Sequence, residues 1–193
     1  MSTARIPRSG SIDTVVDATP EPVWAVLADV TRIGEWSSEC RGADWLDGAV
    51  APRVGARFRG RNRVGTIRWS RVCTVTEAAV PHTFAYRTRG AITRDSTAWT
   101  FRLEPIGNRT RITLSYEVLA MPRAFELVIV NLLPAHRDRS GELAADLARL
   151  GEVVRAMRSI PAAPARSVPE APTRSVPEAP TRDVPARDSR PAG

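Results

Sequence analysis

The middle of the chain alternates between hydrophobic and polar residues in a series of short stretches, and this period of two predicts β-strands. The stretches cover residues 11–18, 42–46, 55–62, 67–78, 83–89, 96–104 and 109–119. Gly or Pro marks most of the connections that follow the second stretch, and these are short enough for hairpins. The pattern therefore predicts a seven-stranded antiparallel sheet.

Near both ends of the chain, hydrophobic residues recur every three to four positions, and this spacing predicts helices before and after most of the strands. Thr19 and Pro20 suit the first turn of a helix that follows the first strand. A second short helix is predicted to end at Trp36. Towards the other end of the chain, the apolar spacing predicts a short amphipathic segment over residues 122–133 and one long helix over 136–158.

These elements predict an α+β fold with a curved antiparallel sheet, two short N-terminal helices and one long C-terminal helix. Each strand has one apolar and one polar face, so one side of the sheet is expected to be covered. Because a single long helix crosses that side, we expect it to enclose a cavity instead of a solid core.

The composition divides the chain into three predicted parts. Residues 1–10 are expected to be a flexible N-terminus, 11–158 a ligand-binding domain and 159–193 a disordered tail. In the tail, an eight-residue unit beginning at Arg166 recurs at Arg174, and each copy contains two prolines. Such a repeat has too few apolar residues to form a core.

Residues suited to covalent or metal chemistry are few. His82 and His136 are the only histidines, and neither lies beside a Ser or Cys with a supporting acid. Cys40 and Cys73 lack the spacing of a zinc site or a redox pair, and we expect no disulfide. We therefore predict no metal and no cofactor, and assign no catalytic residue.

Aromatic residues concentrate on the inner face of the predicted strands. Such a stripe usually forms a core, but in a fold with a cavity it lines the cavity wall, and an aromatic tip also offers a polar group to a ligand. The predicted ligand-binding residues are Trp36, Phe58, Asn62, Trp69, Arg71, Tyr86, Trp99, Phe101, Tyr116 and Leu147.

Arg71 is the charged member of this set. It shares its strand face with Trp69 and Cys73, so an unbroken strand would point it into the cavity. A buried guanidinium needs an acidic partner or an anionic group of a ligand. The alternatives are a β-bulge that turns Arg71 outward, or a position at the rim.

The formal net charge is +7, and all 28 basic residues are Arg. Arg57, Arg59, Arg61 and Arg63 alternate along one strand, which is typical of a solvated sheet face, so nucleic-acid binding is not favoured. Transient contact with an anionic membrane stays open. Without an apolar leader segment, we expect a cytoplasmic protein that is a monomer or a weak homodimer.

Three segments resemble a known family. Residues 15–29 read Val-x-Asp-Ala-x-Pro-Glu-x-Val-Trp-x-x-Leu-Ala-Asp, residues 58–69 read Phe-x-Gly-x-Asn-Arg-x-Gly-x-x-x-Trp, and residues 99–105 read Trp-x-Phe-x-Leu-Glu-Pro. They resemble polyketide cyclase/dehydrase and lipid-transport proteins of the SRPBCC superfamily. The resemblance covers residues 11–158 and implies the START-like helix-grip fold.

Three functions are compatible with these features. The first is a carrier or sensor that binds an apolar or amphipathic small molecule, such as a lipid, a polyketide or an isoprenoid. The second, implied by the resemblance, is a cyclase/dehydrase-type enzyme without a catalytic triad. The third is a regulator that binds nucleic acid or an anionic membrane through its arginine-rich sheet face.

Overall fold

A computed structural model describes residues 5–133 and 138–159. Seven strands and four α-helices are present in the described part. The strands are β1 (Ser9–Val16), β2 (Cys40–Trp45), β3 (Arg57–Val64), β4 (Ile67–Ala79), β5 (Thr83–Arg89), β6 (Ser96–Ile106) and β7 (Arg109–Ala120). The helices are α1 (Pro20–Leu27), α2 (Ile33–Trp36), α3 (Arg123–Leu132) and α4 (Ser140–Ser159), with a 3₁₀ turn at Val30–Arg32.

The strands form one antiparallel sheet in the order β1-β7-β6-β5-β4-β3-β2. Strands β2 to β7 pair with their neighbours in sequence, whereas β1 pairs with β7 at the far edge. The first two helices and the 3₁₀ turn connect the two edge strands. This curved sheet, crossed by a long C-terminal helix, confirms the predicted helix-grip fold.

The apolar core lies between one half of α4 and the sheet. Leu147, Leu150 and Val154 are fully buried. Gly151 lies on the same helix where α4 comes closest to β1, and a Cβ there would be 3.3 Å from a methyl group of Val16. The helix can therefore pack tightly against this edge of the sheet.

The part of the concave side that α4 does not cover is only partly filled with side chains. A helix with its side chains is about 10 Å wide, whereas seven strands about 4.8 Å apart span roughly 29 Å. A second, smaller apolar cluster forms where α3 covers the end of the sheet, around Ile6, Ile129, Val130 and Leu133. The space between the two clusters is where the cavities lie.

The chain joins the fold earlier than predicted. Ile6 is buried, its backbone N–H donates to Glu126 Oε1 at 3.2 Å, and Arg8 forms an ion pair with Glu126 at 2.9 Å. Strand β1 then starts at Ser9. Residues 5–10, which the sequence assigned to a flexible N-terminus, thus make contacts with the fold through Ile6, Arg8 and the start of β1.

Two other predictions concern helix boundaries and the tail. Helix α4 begins at Ser140, a few residues after the predicted start at 136, and residues 134–137 lie outside the described part. The predicted disordered tail begins at 159, and residues 160–193 also lie outside the described part.

Leu147→Ala should lower the free energy of unfolding by about 2–5 kcal/mol, because the side chain is fully buried in packed core. Leu127→Ala is the control. Leu127 is 55% exposed, so its loss should cost less than about 0.5 kcal/mol. Urea unfolding of both variants measures the difference, and equal stabilities would show that α4 does not pack as described.

Candidate functional site

Two adjoining cavities occupy the concave side of the sheet. The inner cavity has a volume of about 100 Å³ and lies under α2 and the first turn of α4. The outer cavity has a volume of about 510 Å³ and lies between the sheet, α3 and the loop that joins β5 to β6. We call them the inner and the outer chamber.

The inner chamber has a mainly aromatic wall. Tyr86 lies at the centre of that wall, with ring centroids 5.2 Å from Phe58 and 6.4 Å from Phe101. Trp36 meets Phe101 edge to face at 6.1 Å. Because these rings fix one another, the wall is pre-formed without a ligand.

The outer chamber has a mixed apolar wall. Trp69 and Tyr116 contribute from the sheet, and Ile6 from the N-terminal segment. Helix α3 contributes Phe125, Val128, Ile129 and Leu132. This chamber is large enough for the body of a lipid-sized or polyketide-sized molecule.

A polar ring separates the two chambers. Five residues line both of them, namely Glu39, Asn62, Arg71, Thr88 and Arg139. We call this set the collar. A molecule that occupied both chambers would pass polar side chains at the collar and apolar side chains on either side of it.

Arg71 keeps the inward direction predicted from its strand parity. The register shift of β4 lies between Val75 and Glu77, beyond Arg71, so no bulge turns its side chain outward. Its guanidinium forms an ion pair with Asp95 at 3.0 Å and a hydrogen bond to Thr93 Oγ1 at 3.2 Å.

This ion pair supplies the first of the two predicted partners of a buried Arg71, an acid of the protein, in place of an anionic ligand. Asp95 is buried and supplies the acid from within the protein. The guanidinium carbon also lies 5.6 Å from the ring centroid of Phe125, a favourable cation–π distance. Arg71 is thus a charge-compensated part of the wall.

Gly90 makes the loop that supplies Asp95 possible. A Cβ at Gly90 would collide with Thr93 Oγ1, Asp95 Oδ1 and an Arg71 nitrogen. The Gly90 N–H also donates to the Asp95 carbonyl at 3.0 Å, which closes the loop. A residue without a side chain is required where this loop folds over the guanidinium.

Arg139 is the second arginine of the collar, and it is not among the predicted ligand-binding residues. It precedes α4 and forms an ion pair with Glu39 at 2.7 Å. Its guanidinium carbon lies 5.4 Å from the ring centroid of Trp99. Both members of the pair are mostly buried, so Arg139 belongs to the site.

Asp146 is also absent from the predicted site, but it is buried at the inner chamber. Its Oδ1 accepts a hydrogen bond from the Ser38 N–H at 2.9 Å, and its carboxylate also pairs with Arg149. Asp146 therefore joins α4 to the segment between α2 and β2, and it closes one end of the inner chamber.

Burial keeps the reactive groups of the wall protonated. It raises the pKa of the Cys73 thiol to about 12 and the pKa of the Tyr86 phenol well above its ordinary value. Cys40 and Tyr116 also have raised pKa values because of burial. These groups can donate hydrogen bonds, but they are poor nucleophiles at neutral pH.

The structure brings most of the predicted site residues to the chambers. Trp36, Phe58, Tyr86, Trp99 and Phe101 line the inner chamber, Trp69 and Tyr116 line the outer one, and Asn62 and Arg71 line both. Leu147 lies outside both walls. The turn of α4 that contains Leu147 packs against the edge of the sheet. Leu143, one turn earlier on the same helix, lines the inner chamber instead.

Within residues 5–133 and 138–159, no group of His, Cys, Asp and Glu is arranged to hold a metal ion. Cys40 and Cys73 are free thiols. No described helix combines the length and the hydrophobicity needed to cross a bilayer.

A family model described as polyketide cyclase / dehydrase and lipid transport matches residues 9–155. The chain belongs to this family. The match spans the whole sheet and most of α4, and it confirms the SRPBCC membership that the sequence motifs indicated. No curated protein matches the chain.

Solved structures of family-like proteins share the fold at low sequence identity. Protein TTHA0849 from Thermus thermophilus is 16% identical, with a TM-score of 0.62 over 78% of this chain and 99% of that one. The Zhui aromatase/cyclase from Streptomyces sp. R1128 is 15% identical, with a TM-score of 0.60 over 79% and 96%. At these identities the similarity establishes the fold alone.

Asp95→Ala should lower the free energy of unfolding by about 2–3 kcal/mol, since it leaves Arg71 without its acid. The expected loss is below that of a fully buried pair because Arg71 keeps some solvent access. Asp44→Ala, which breaks the exposed pair with Arg61, is the control and should cost less than about 1 kcal/mol. Equal losses in urea unfolding would contradict the structural role of the Arg71–Asp95 pair.

Proposed function

We propose that the protein is a carrier of an amphipathic small molecule that it binds across both chambers. The main support for this proposal is the arrangement of apolar and polar side chains in the walls of the two chambers. A chamber of about 510 Å³ with an apolar wall adjoins a smaller aromatic chamber, and polar side chains lie at the junction. A mostly apolar molecule with one polar group is complementary to two apolar chambers that have polar side chains between them.

The chemistry of the wall favours binding over covalent catalysis. The described thiols and phenols of the wall have raised pKa values, which suits hydrogen bonding to a ligand. The charged side chains of the collar are already paired with acids or bases of the protein. The family comprises lipid transport as well as cyclases, and the carrier role is in keeping with the former.

Val128→Trp should weaken the binding of Nile red, a neutral dye that fluoresces in apolar sites, by at least about tenfold. The larger ring would narrow the outer chamber, which Val128 lines. Leu127→Trp is the matched control because Leu127 is the adjacent residue of α3, is similarly exposed and lines neither chamber. Equal dye affinities of the two variants in fluorescence titrations would place the dye outside the chamber and contradict the proposal.

The surroundings of the outer chamber support a carrier over a sensor. Several exposed hydrophobic residues also line this chamber, namely Ile67, Ile92, Val128 and Leu132. Ile92 is 94% exposed at the tip of the β5–β6 loop. We call the set of Ile67, Ile92, Val128 and Leu132 the apolar rim. Arg5, Arg68, Arg94 and Arg123 lie close to rim or wall residues in sequence, which suits an anionic lipid surface.

Vesicles containing phosphatidylglycerol should bind the protein, and Ile92→Asp should reduce this binding several-fold, because the rim would carry an acid against an anionic surface. Val50→Asp is the control, since Val50 is 88% exposed but lines neither chamber. Co-flotation with the vesicles measures the bound fraction. Equal binding of the two variants, or no binding of the unaltered protein, would contradict the carrier role at a membrane.

A cyclase/dehydrase-type enzyme is the second candidate. The buried Tyr86 phenol stays protonated at neutral pH, so it can donate a hydrogen bond that polarises a carbonyl. The Zhui aromatase/cyclase shares the fold. Liquid chromatography with mass spectrometry of a bound ligand before and after prolonged incubation separates the candidates. A carrier releases its ligand unchanged, whereas an enzyme alters the mass of the ligand or, for an isomer, its retention time.

A further inference from the structure

Unused hydrogen-bond donors lie at the inner chamber. Trp36 is only 5% exposed, and its indole N–H is buried without an acceptor among the described residues. The Nε–H of Arg139 is also buried without an acceptor there. Both residues line the inner chamber. Buried donors in native proteins nearly always have a partner, so two of them beside one cavity indicate a place for an oxygen atom.

Both donors belong to side chains that are held in place. The Trp36 ring packs edge to face on Phe101, and the Trp36 carbonyl accepts a hydrogen bond from Arg149 at 2.9 Å. Arg139 is fixed by its ion pair with Glu39 and by the face of Trp99. Donors fixed in advance lose little conformational freedom when a ligand binds.

The charges around the inner chamber are balanced. Arg71 pairs with Asp95, Arg139 with Glu39, and Asp146 with Arg149. Each arginine that lines this chamber in the described part thus has an acid. A carboxylate brought into this chamber would lose its hydration without gaining an unpaired cation, which is unfavourable. A neutral oxygen needs only the donors.

We propose that the inner chamber binds a neutral oxygen of the ligand, such as a ketone, ester or ether oxygen. The oxygen accepts a hydrogen bond from Trp36 Nε1, beside Arg139 Nε, and the apolar body of the ligand fills the outer chamber. Trp36 and Arg139 then determine the preference for a ligand with a neutral oxygen over a hydrocarbon or a carboxylate. This inference rests on the proposed function, because it assigns the direction and the chemical class of the molecule that the two chambers bind.

Water is the competing occupant. A chamber of about 100 Å³ is large enough to hold several water molecules. Waters could satisfy both donors without any selectivity for a ligand oxygen. The experiment therefore compares ligands that differ only in their oxygen.

The test is displacement of Nile red by a medium-chain methyl ketone, by the 1-alkene of equal length and by the fatty acid of equal length, at about pH 8, where the acid is ionised. The unaltered protein should bind the ketone about tenfold more tightly than the alkene or the acid, the ratio expected for one buried hydrogen bond. Trp36→Phe should lose most of the preference for the ketone over the alkene, because the indole N–H is the donor that distinguishes the two ligands.

Trp45→Phe is the matched control. Trp45 is a half-buried indole that packs on Phe58 at 5.7 Å but lines neither chamber, so its loss should leave the ketone preference unchanged. Infrared spectroscopy of a carbon-13-labelled ketone adds a readout that does not depend on a variant. Its carbonyl stretch should lie at lower frequency in the unaltered protein than in hydrocarbon solvent, since the carbonyl accepts a hydrogen bond.

Each outcome separates this inference from the proposed function. Preference for the fatty acid would identify an anion site and overturn the inference. Equal binding of ketone and alkene, with an unshifted carbonyl stretch, would mean that water satisfies the donors, and it would overturn the inference while the carrier function stands. If none of the three compounds displaces the dye, both fail.

Discussion

The compensation of buried charge is the constraint on which the site depends. Two arginines face the concave side of the sheet, and each meets an acid there, Arg71 with Asp95 and Arg139 with Glu39. An arginine buried without a partner would be strongly destabilising. Because both are paired, a polar collar can lie between two apolar chambers without a bound anion to stabilise it.

The chambers themselves follow from the geometry of the sheet and α4. One helix covers only part of the width of seven strands, and α4 lies close to the β1 edge, where Gly151 allows a short distance to Val16. The remaining width is bridged by α3 and by the N-terminal segment around Ile6. Cavity and core are thus two parts of the same concave surface, separated by the position of one helix.

The sequence predicts the fold and much of the wall, because strand alternation is strict. Phe58, Tyr86 and Phe101 point inward as their parity requires, and the rings contact one another. The family motifs strengthen this part of the prediction because they fall on the strands and the first helix.

The charged residues of the site were harder to predict. Asp146 lies three residues after Leu143, and Arg139 four residues before it, so helical spacing does place both on the inner stripe. A charged residue on a helix usually faces solvent, so spacing alone does not identify these two as site residues. Asp95 and Glu39 lie between regular elements, where no period indicates direction, and only tertiary contacts bring them to the collar. The prediction for Leu147 differs in the opposite direction, because the residue lies in the packed core and not beside a cavity. The apolar stripe of the helix shows that Leu147 points inward, but it does not show whether the space there is filled or hollow.

A crystal structure of the protein with a bound medium-chain methyl ketone is the most direct measurement, because the two chambers define both the position and the direction of the ligand. The hydrocarbon chain should lie in the outer chamber, and the ketone oxygen should lie within hydrogen-bond distance, at most about 3.2 Å, of Trp36 Nε1. A ketone oxygen at the apolar rim, or a ligand bound outside both chambers, would contradict it.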